Sequence, residues 1–262
     1  MKHFATRNPV VFSLVATVVF FVLMSGAFIL GTRMSGIPYG KDIGELIGKV
    51  LVSAVFILVL WQFHWLRGTG LTRLGSGGIW LILLIPIVYD ALSGLYAVTG
   101  SMQLSFSNPA QYSWITVNMM GGGLAEEIVY RGLVFYCLLT AWKSKANAAL
   151  LSGIVSAAIF GYSHLVWVLL GKDFSLGFLQ STAAFCSGVF YAGVVLRTRS
   201  IWPAVVMHGL SNAFVYIKIS EMSDFSETVT GGVMAIALTL PLTIVGLLLL
   251  RKHSKRGVFS IS

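Results

Sequence analysis

Charge is scarce in this chain. Of its 262 residues only 10% are Asp, Glu, Lys or Arg, while 56% are hydrophobic, and a soluble protein of this length needs charged residues over its whole surface. Here they fall in short clusters between long apolar runs, which excludes a water-soluble globular domain and assigns the clusters to loops and ends. Acidic residues are scarcer than basic ones, 9 against 18. No nucleic-acid partner follows from that excess, because the Lys and Arg residues are spread between apolar segments rather than gathered on one polar face. There are two cysteines, Cys137 and Cys186. Both sit inside apolar runs with no second Cys or His at metal-ligand spacing, so neither a disulfide framework nor a local zinc motif is indicated. Repeats of fixed period, low-complexity tracts and soluble appendages are also missing, and one all-α membrane domain is expected to account for residues 1–262.

What is present is a series of runs of about 20 apolar residues, the length that crosses a bilayer as a helix. Eight are expected, at 9–31, 44–66, 79–99, 113–141, 147–170, 175–196, 202–220 and 230–250. The first follows a basic start that resembles a signal-peptide n-region, yet it is of spanning length without a clear cleavage site, so it reads as a retained helix. The fourth is the least apolar, because Glu126, Glu127 and Arg131 interrupt it. Charge supports it nonetheless. With eight spans one side receives Lys2, Arg7, Arg67, Arg73, Lys143, Lys145, Arg197, Arg199, Arg251, Lys252, Lys255 and Arg256, and the other only Arg33, Lys41, Lys172 and Lys218. The basic side is the cytoplasmic one, which carries both termini. Omitting the fourth span scrambles this asymmetry. The stretches Arg73–Gly78 and Gly100–Gln111 read as loops.

Ionisable groups at membrane depth are costly unless they face protein or a wet cavity, which draws attention to three patterns. The first is Glu126-Glu127-Ile128-Val129-Tyr130-Arg131. Glu127 and Arg131 are four apart and can pair along the helix. Their ordinary reading is a structural ion pair. Glu126 is left with Tyr130 on its face and no cation at helical spacing, the setting in which a carboxylate serves as general base or acid. The second is Phe160-Gly161-Tyr162-Ser163-His164, where a lone histidine in an apolar helix is ordinarily a hydrogen-bonded core residue. The third is Met207-His208-Gly209-Leu210-Ser211-Asn212, with His208 and Asn212 on one helical face. These two supply neutral donors suited to a developing oxyanion, or an ordinary interhelical hydrogen bond. Together, on three spans with few competing polar residues, they are the inventory of a hydrolytic site. Ser163 and Ser211 lack a matching base at usable helical spacing, so activated water is favoured over a covalent route.

The order Glu-Glu-x-x-x-Arg at 126–131, Phe-x-x-x-His at 160–164 and His-x-x-x-Asn at 208–212 resembles the CAAX prenyl protease type II, bacteriocin-processing and abortive-infection membrane protease family. Residues 197–208 also look like the connection before that family's last motif. The resemblance covers about 113–216, the protease-like core. It implies an intramembrane endopeptidase in which Glu126 and His164 activate water and His208 and Asn212 form the oxyanion side. Glu127, Arg131, Tyr130 and Phe160 would support the site. The cofactor is open: none is the preferred reading, and Glu126, His164 and His208 are an adequate ligand set for zinc, although no His-Glu-x-x-His helix is present.

Expected partners are the lipid bilayer and a membrane-associated peptide or lipidated protein substrate. The short loops suggest a prokaryotic plasma membrane. A non-proteolytic scaffold or bacteriocin-immunity protein of the same fold and a proton-coupled transporter are the alternatives. The transporter reading predicts inverted repeats and interrupted helices; only Gly121–Gly123 suggests such a break. The span limits also leave a conflict of depth. They put His164 near the outer end of the fifth span and His208 about 10 Å from the inner end of the seventh.

Overall fold

In a computed structural model, residues 1–75, 80, 109–221 and 229–254 are described, and the elements below are numbered over them. A short α1 (Lys2–Arg7) leads into α2 (Pro9–Met34) and α3 (Gly40–Gln62). Next come α4 (Pro109–Glu127), a π-helical segment (Ile128–Phe135) and α5 (Tyr136–Ala141), which run on as one rod. The rest is α6 (Ala148–Ser163), α7 (Val166–Leu169), α8 (Phe174–Thr198), α9 (Trp202–Glu221) and α10 (Val229–Ser254). The described residues contain no strand. The chain is an all-helical, polytopic membrane protein.

Five helices are long and apolar enough to cross a membrane: Pro9–Met34, Gly40–Gln62, Ala148–Leu169, Phe174–Thr198 and Val229–Arg251. Their outer faces are apolar, with Val11, Val15, Val18 and Val22 of α2, Leu51 and Leu58 of α3 and Ile244 and Leu248 of α10 all exposed. Such stripes would be a liability in water and are the ordinary lipid-facing surface of a membrane bundle. The third expected span, 79–99, lies outside the described residues, apart from Trp80. The fourth and seventh are present as the α4–α5 rod and α9, although neither is among the five apolar spans. Their polar residues turn inward instead.

Some boundaries differ from expectation for local reasons. Residues 109–111 open a helix rather than close a loop, since Pro109 starts it and a proline is tolerated in the first turn. Helix α6 stops at Ser163 and a separate turn, α7, follows, so the fifth span is broken at His164. Gly121–Gly123 do not interrupt α4. The departure from α geometry comes just after it, in the π segment, where the Ser156 hydroxyl donates to the Tyr130 carbonyl at 2.9 Å. Wide turns of this kind are frequent at functional sites.

Helix α10 packs along α8, α6 along α8, and α4 between α3 and α9. Close approach depends on glycine in two places. A Cβ at Gly123 would stand 2.7 Å from the Gly209 nitrogen, so α4 and α9 touch backbone to backbone just before Glu126. A Cβ at Gly246 would stand 2.6 Å from the Phe190 Cα, closing α10 on α8 in the same way. Membrane helices associate largely by such packing. In the connection between α8 and α9 Arg199 is exposed but Ser200 and Ile201 are buried: Ser200 donates to the Arg73 carbonyl at 2.5 Å and Trp202 Nε1 to that of Leu71 at 2.8 Å. The start of helix α9 is therefore tied to the segment that follows α3.

Gly246→Leu is expected to lower the thermal midpoint of the detergent-purified protein markedly, since overpacking of this kind costs about 1–3 kcal/mol. Gly26→Leu, where nothing lies within 4 Å of the added carbon, is the control and should leave the midpoint unchanged.

Candidate active site

Helix α4 and the π segment bring the first pattern to the centre of the bundle. Glu127 and Arg131 are fully buried, and Glu127 Oε1 lies 3.0 Å from Arg131 Nη1. Arg131 Nη2 donates to the Gly188 carbonyl of α8 at 3.3 Å, and its guanidinium stands 4.5 Å over the Phe160 ring and 5.3 Å from that of Tyr191. Each contact compensates part of the cost of taking the cation out of water.

From α9, His208 enters the same cluster. Its Nδ1 is 2.8 Å from Glu127 Oε1, so one carboxylate oxygen is shared between the imidazole and Arg131. Its Nε2 faces Glu126, 3.6 Å from Oε2. The two adjacent glutamates therefore differ in setting. Glu127 is enclosed and matched to a cation, whereas Glu126 keeps 21% of its side-chain surface exposed. Tyr191 stacks on the His208 ring at 5.5 Å, with 26° between the planes.

Phe160 joins the second pattern to the other two. Its ring meets His164 at 5.1 Å and His208 at 5.6 Å, both edge-on, and Tyr130 at 4.9 Å. The expected difference in depth is not seen: α6 ends at Ser163 and the two imidazoles flank one aromatic ring, at one level of the bundle. His164 Nδ1 is 3.0 Å from the Phe160 carbonyl, which fixes that ring from within its own helix. Tyr130 and Ser163 hydroxyls meet at 3.2 Å. Asn212 lies one turn beyond His208, half-buried, with no side-chain hydrogen bond among the described residues.

Glu126, Glu127, Arg131, Tyr130, Phe160, His164 and His208 are thus gathered from α4, the π segment, α6 and α9, while Asn212 stands at the margin. Tyr191 and Gly188 were not singled out by sequence. Both come from α8, where neither belongs to a pattern of ionisable residues at helical spacing. As for a metal, no group of three His, Cys, Asp or Glu side chains among the described residues is arranged to hold one. The trio Glu126, His164 and His208 does not form such a set.

Helices of a membrane bundle that enclose two carboxylates, a guanidinium and two imidazoles define an integral membrane protein with a polar site in its interior. Residues 108–214 match the family model described as Rce1-like, the type II CAAX prenyl endopeptidase Rce1-like family. That stretch carries all three motifs, so the resemblance to a family of CAAX-protease-type intramembrane peptidases holds over it. No curated protein and no solved structure matches the chain.

Removing one partner of a buried ion pair costs about 3–5 kcal/mol, because the other charge is left uncompensated. Arg131→Met should therefore lower the thermal midpoint sharply. Glu127→Gln combined with Arg131→Met should recover much of that loss, in a double-variant cycle followed by thermal unfolding.

Proposed function

We propose that the protein is an intramembrane endopeptidase that hydrolyses peptide bonds in membrane-associated or lipidated peptides with water activated by Glu126. The observation that carries this reading is the inequality of the two glutamates. Glu127 is matched to Arg131, whereas among the described residues Glu126 has only the His208 imidazole, at 3.6 Å, and remains partly open. An ion pair built only to stitch helices has no need of the second carboxylate.

The chemistry follows from that arrangement. A water molecule between Glu126 and His164 gives one proton to the Glu126 carboxylate as its oxygen bonds to the peptide carbonyl carbon. Negative charge collects on the carbonyl oxygen, where His208 and Asn212 donate to it. Glu126 then passes its proton to the departing amine nitrogen as the carbon–nitrogen bond breaks, and carboxylic acid and amine result. Charge balance fits this scheme. Two carboxylates against one guanidinium leave the cluster one positive charge short, and His208 protonated on both nitrogens supplies it while donating to Glu127 and to the oxyanion. Glu127 and Arg131 orient His208, and Phe160 keeps the two imidazoles apart but on one side.

In this reading residues 1–262 form one membrane domain, the chemistry lies within 113–216, and the protein sits in a prokaryotic plasma membrane with both termini cytoplasmic. The excess of Lys and Arg on one side of the expected spans supports that orientation.

Purified protein should cleave members of a fluorogenic panel of prenylated, unprenylated and hydrophobic precursor-like peptides. Glu126→Gln and His164→Ala should each lower kcat at least about a hundredfold while keeping the wild-type thermal midpoint. A chelator lane distinguishes glutamate chemistry, which it leaves intact, from zinc chemistry. Wild type that cleaves nothing, or a fully active Glu126→Gln variant, would sink the proposal and favour a scaffold.

A further inference from the structure

A second buried polar cluster joins α3, which lies outside the residues that match the peptidase family, to Asn118 of α4, which lies within them. Lys49 and Glu45 are 4% and 6% exposed, and Lys49 Nζ lies 3.1 Å from Glu45 Oε2. The same ammonium donates to Asn118 Oδ1 of α4 at 2.6 Å. Asn118 Nδ2 reaches back to Glu45 Oε2 at 3.1 Å and to Asp42 Oδ1 at 2.9 Å. The carboxamide thus both accepts from and donates to α3, a reciprocal arrangement that fixes rotation and depth together, as polar groups in apolar interfaces do for helix register.

Its position gives the cluster a bearing on the chemistry. Asn118 precedes Glu126 by eight residues, about 12 Å along α4. Between them Gly121 packs on α3, where an added Cβ would meet Leu46 at 2.7 Å and Lys49 at 3.8 Å. Gly123 packs on α9, against Gly209. Helix α4 is therefore gripped from both sides just before Glu126 and Glu127, by a polar latch on one flank and a glycine contact on the other.

We propose that the Glu45–Lys49–Asn118 latch positions Glu126 against His208, making α3 a required part of the active site. The three are positioning residues, and the proposal rests on the peptidase reading above. The latch sets where α4 sits, and the 3.6 Å approach of Glu126 to His208 depends on that placement. A displacement of about 1 Å at a reacting group costs as much as a hundredfold in rate.

The test uses the full-length protein in proteoliposomes, with kcat, KM, the pH dependence of kcat and the thermal midpoint measured for each variant. Asn118→Leu and Lys49→Met should lower kcat about tenfold or more, leave KM within about twofold and displace the pH profile. Lys49→Arg, which keeps the cation, should restore kcat to within about threefold of wild type. The variant Glu45→Leu/Lys49→Met/Asn118→Leu replaces the whole latch with apolar side chains and is expected to stay folded. It should still lose kcat. Variants that lower only the thermal midpoint, or a triple variant with wild-type kcat and pH profile, would overturn the latch while leaving the peptidase reading intact. Wild type that cleaves no peptide would instead defeat the peptidase reading itself.

Discussion

One fully buried carboxylate oxygen, Glu127 Oε1, is shared between Arg131 and His208, and the rest of the site is arranged around that sharing. An ionised carboxylate cannot be left alone in such a place, so the cation must be close. A four-residue spacing on the same rod supplies it. Arg131 in turn has to be compensated, and the structure gives it the Gly188 carbonyl and two aromatic faces. His208 closes the arrangement from a different helix. The consequence is that α4, α8 and α9 are locked together by charge as well as by packing, and the neighbouring Glu126 is left in a defined place without a cation of its own.

The packing serves the same end. Glycine at 123 and 209 lets α4 and α9 approach until an imidazole can reach two carboxylates, and the wide π turns carry Tyr130 and Arg131 inward immediately afterwards. The latch on α3 holds the other flank of α4. Apolar stripes on α2, α3 and α10 meet lipid, while the less apolar α4 and α9 lie against protein. Hydropathy and position are thus two expressions of one constraint, since ionisable groups at membrane depth have to face protein rather than lipid, as those of α3 and α4 do.

That constraint also explains what could be read in the sequence. Long apolar runs separated by charge made the helical membrane class legible, and the four-residue spacings made the Glu127–Arg131 pair and the His208–Asn212 face legible. Spacing along one helix carries no information about a partner on another. The contact of His208 with Glu127, the roles of Tyr191 and Gly188, and the Lys49–Asn118 bond join residues tens of positions apart, and none has a local signature. The end of α6 at His164 was missed because an apolar run continues through it to Leu170. The third expected span lies outside the described residues.

Nitrogen-15 chemical shifts of histidine-labelled protein in lipid, with the His208 resonances assigned by their loss in His208→Asn, test the shared carboxylate most directly. The His208 Nδ1 shift is expected to report a strong hydrogen bond to a carboxylate and to move substantially in Glu127→Gln, while His164, bonded to a backbone carbonyl, stays in place. A His208 resonance indifferent to Glu127→Gln would contradict the sharing of Glu127 on which the site is built.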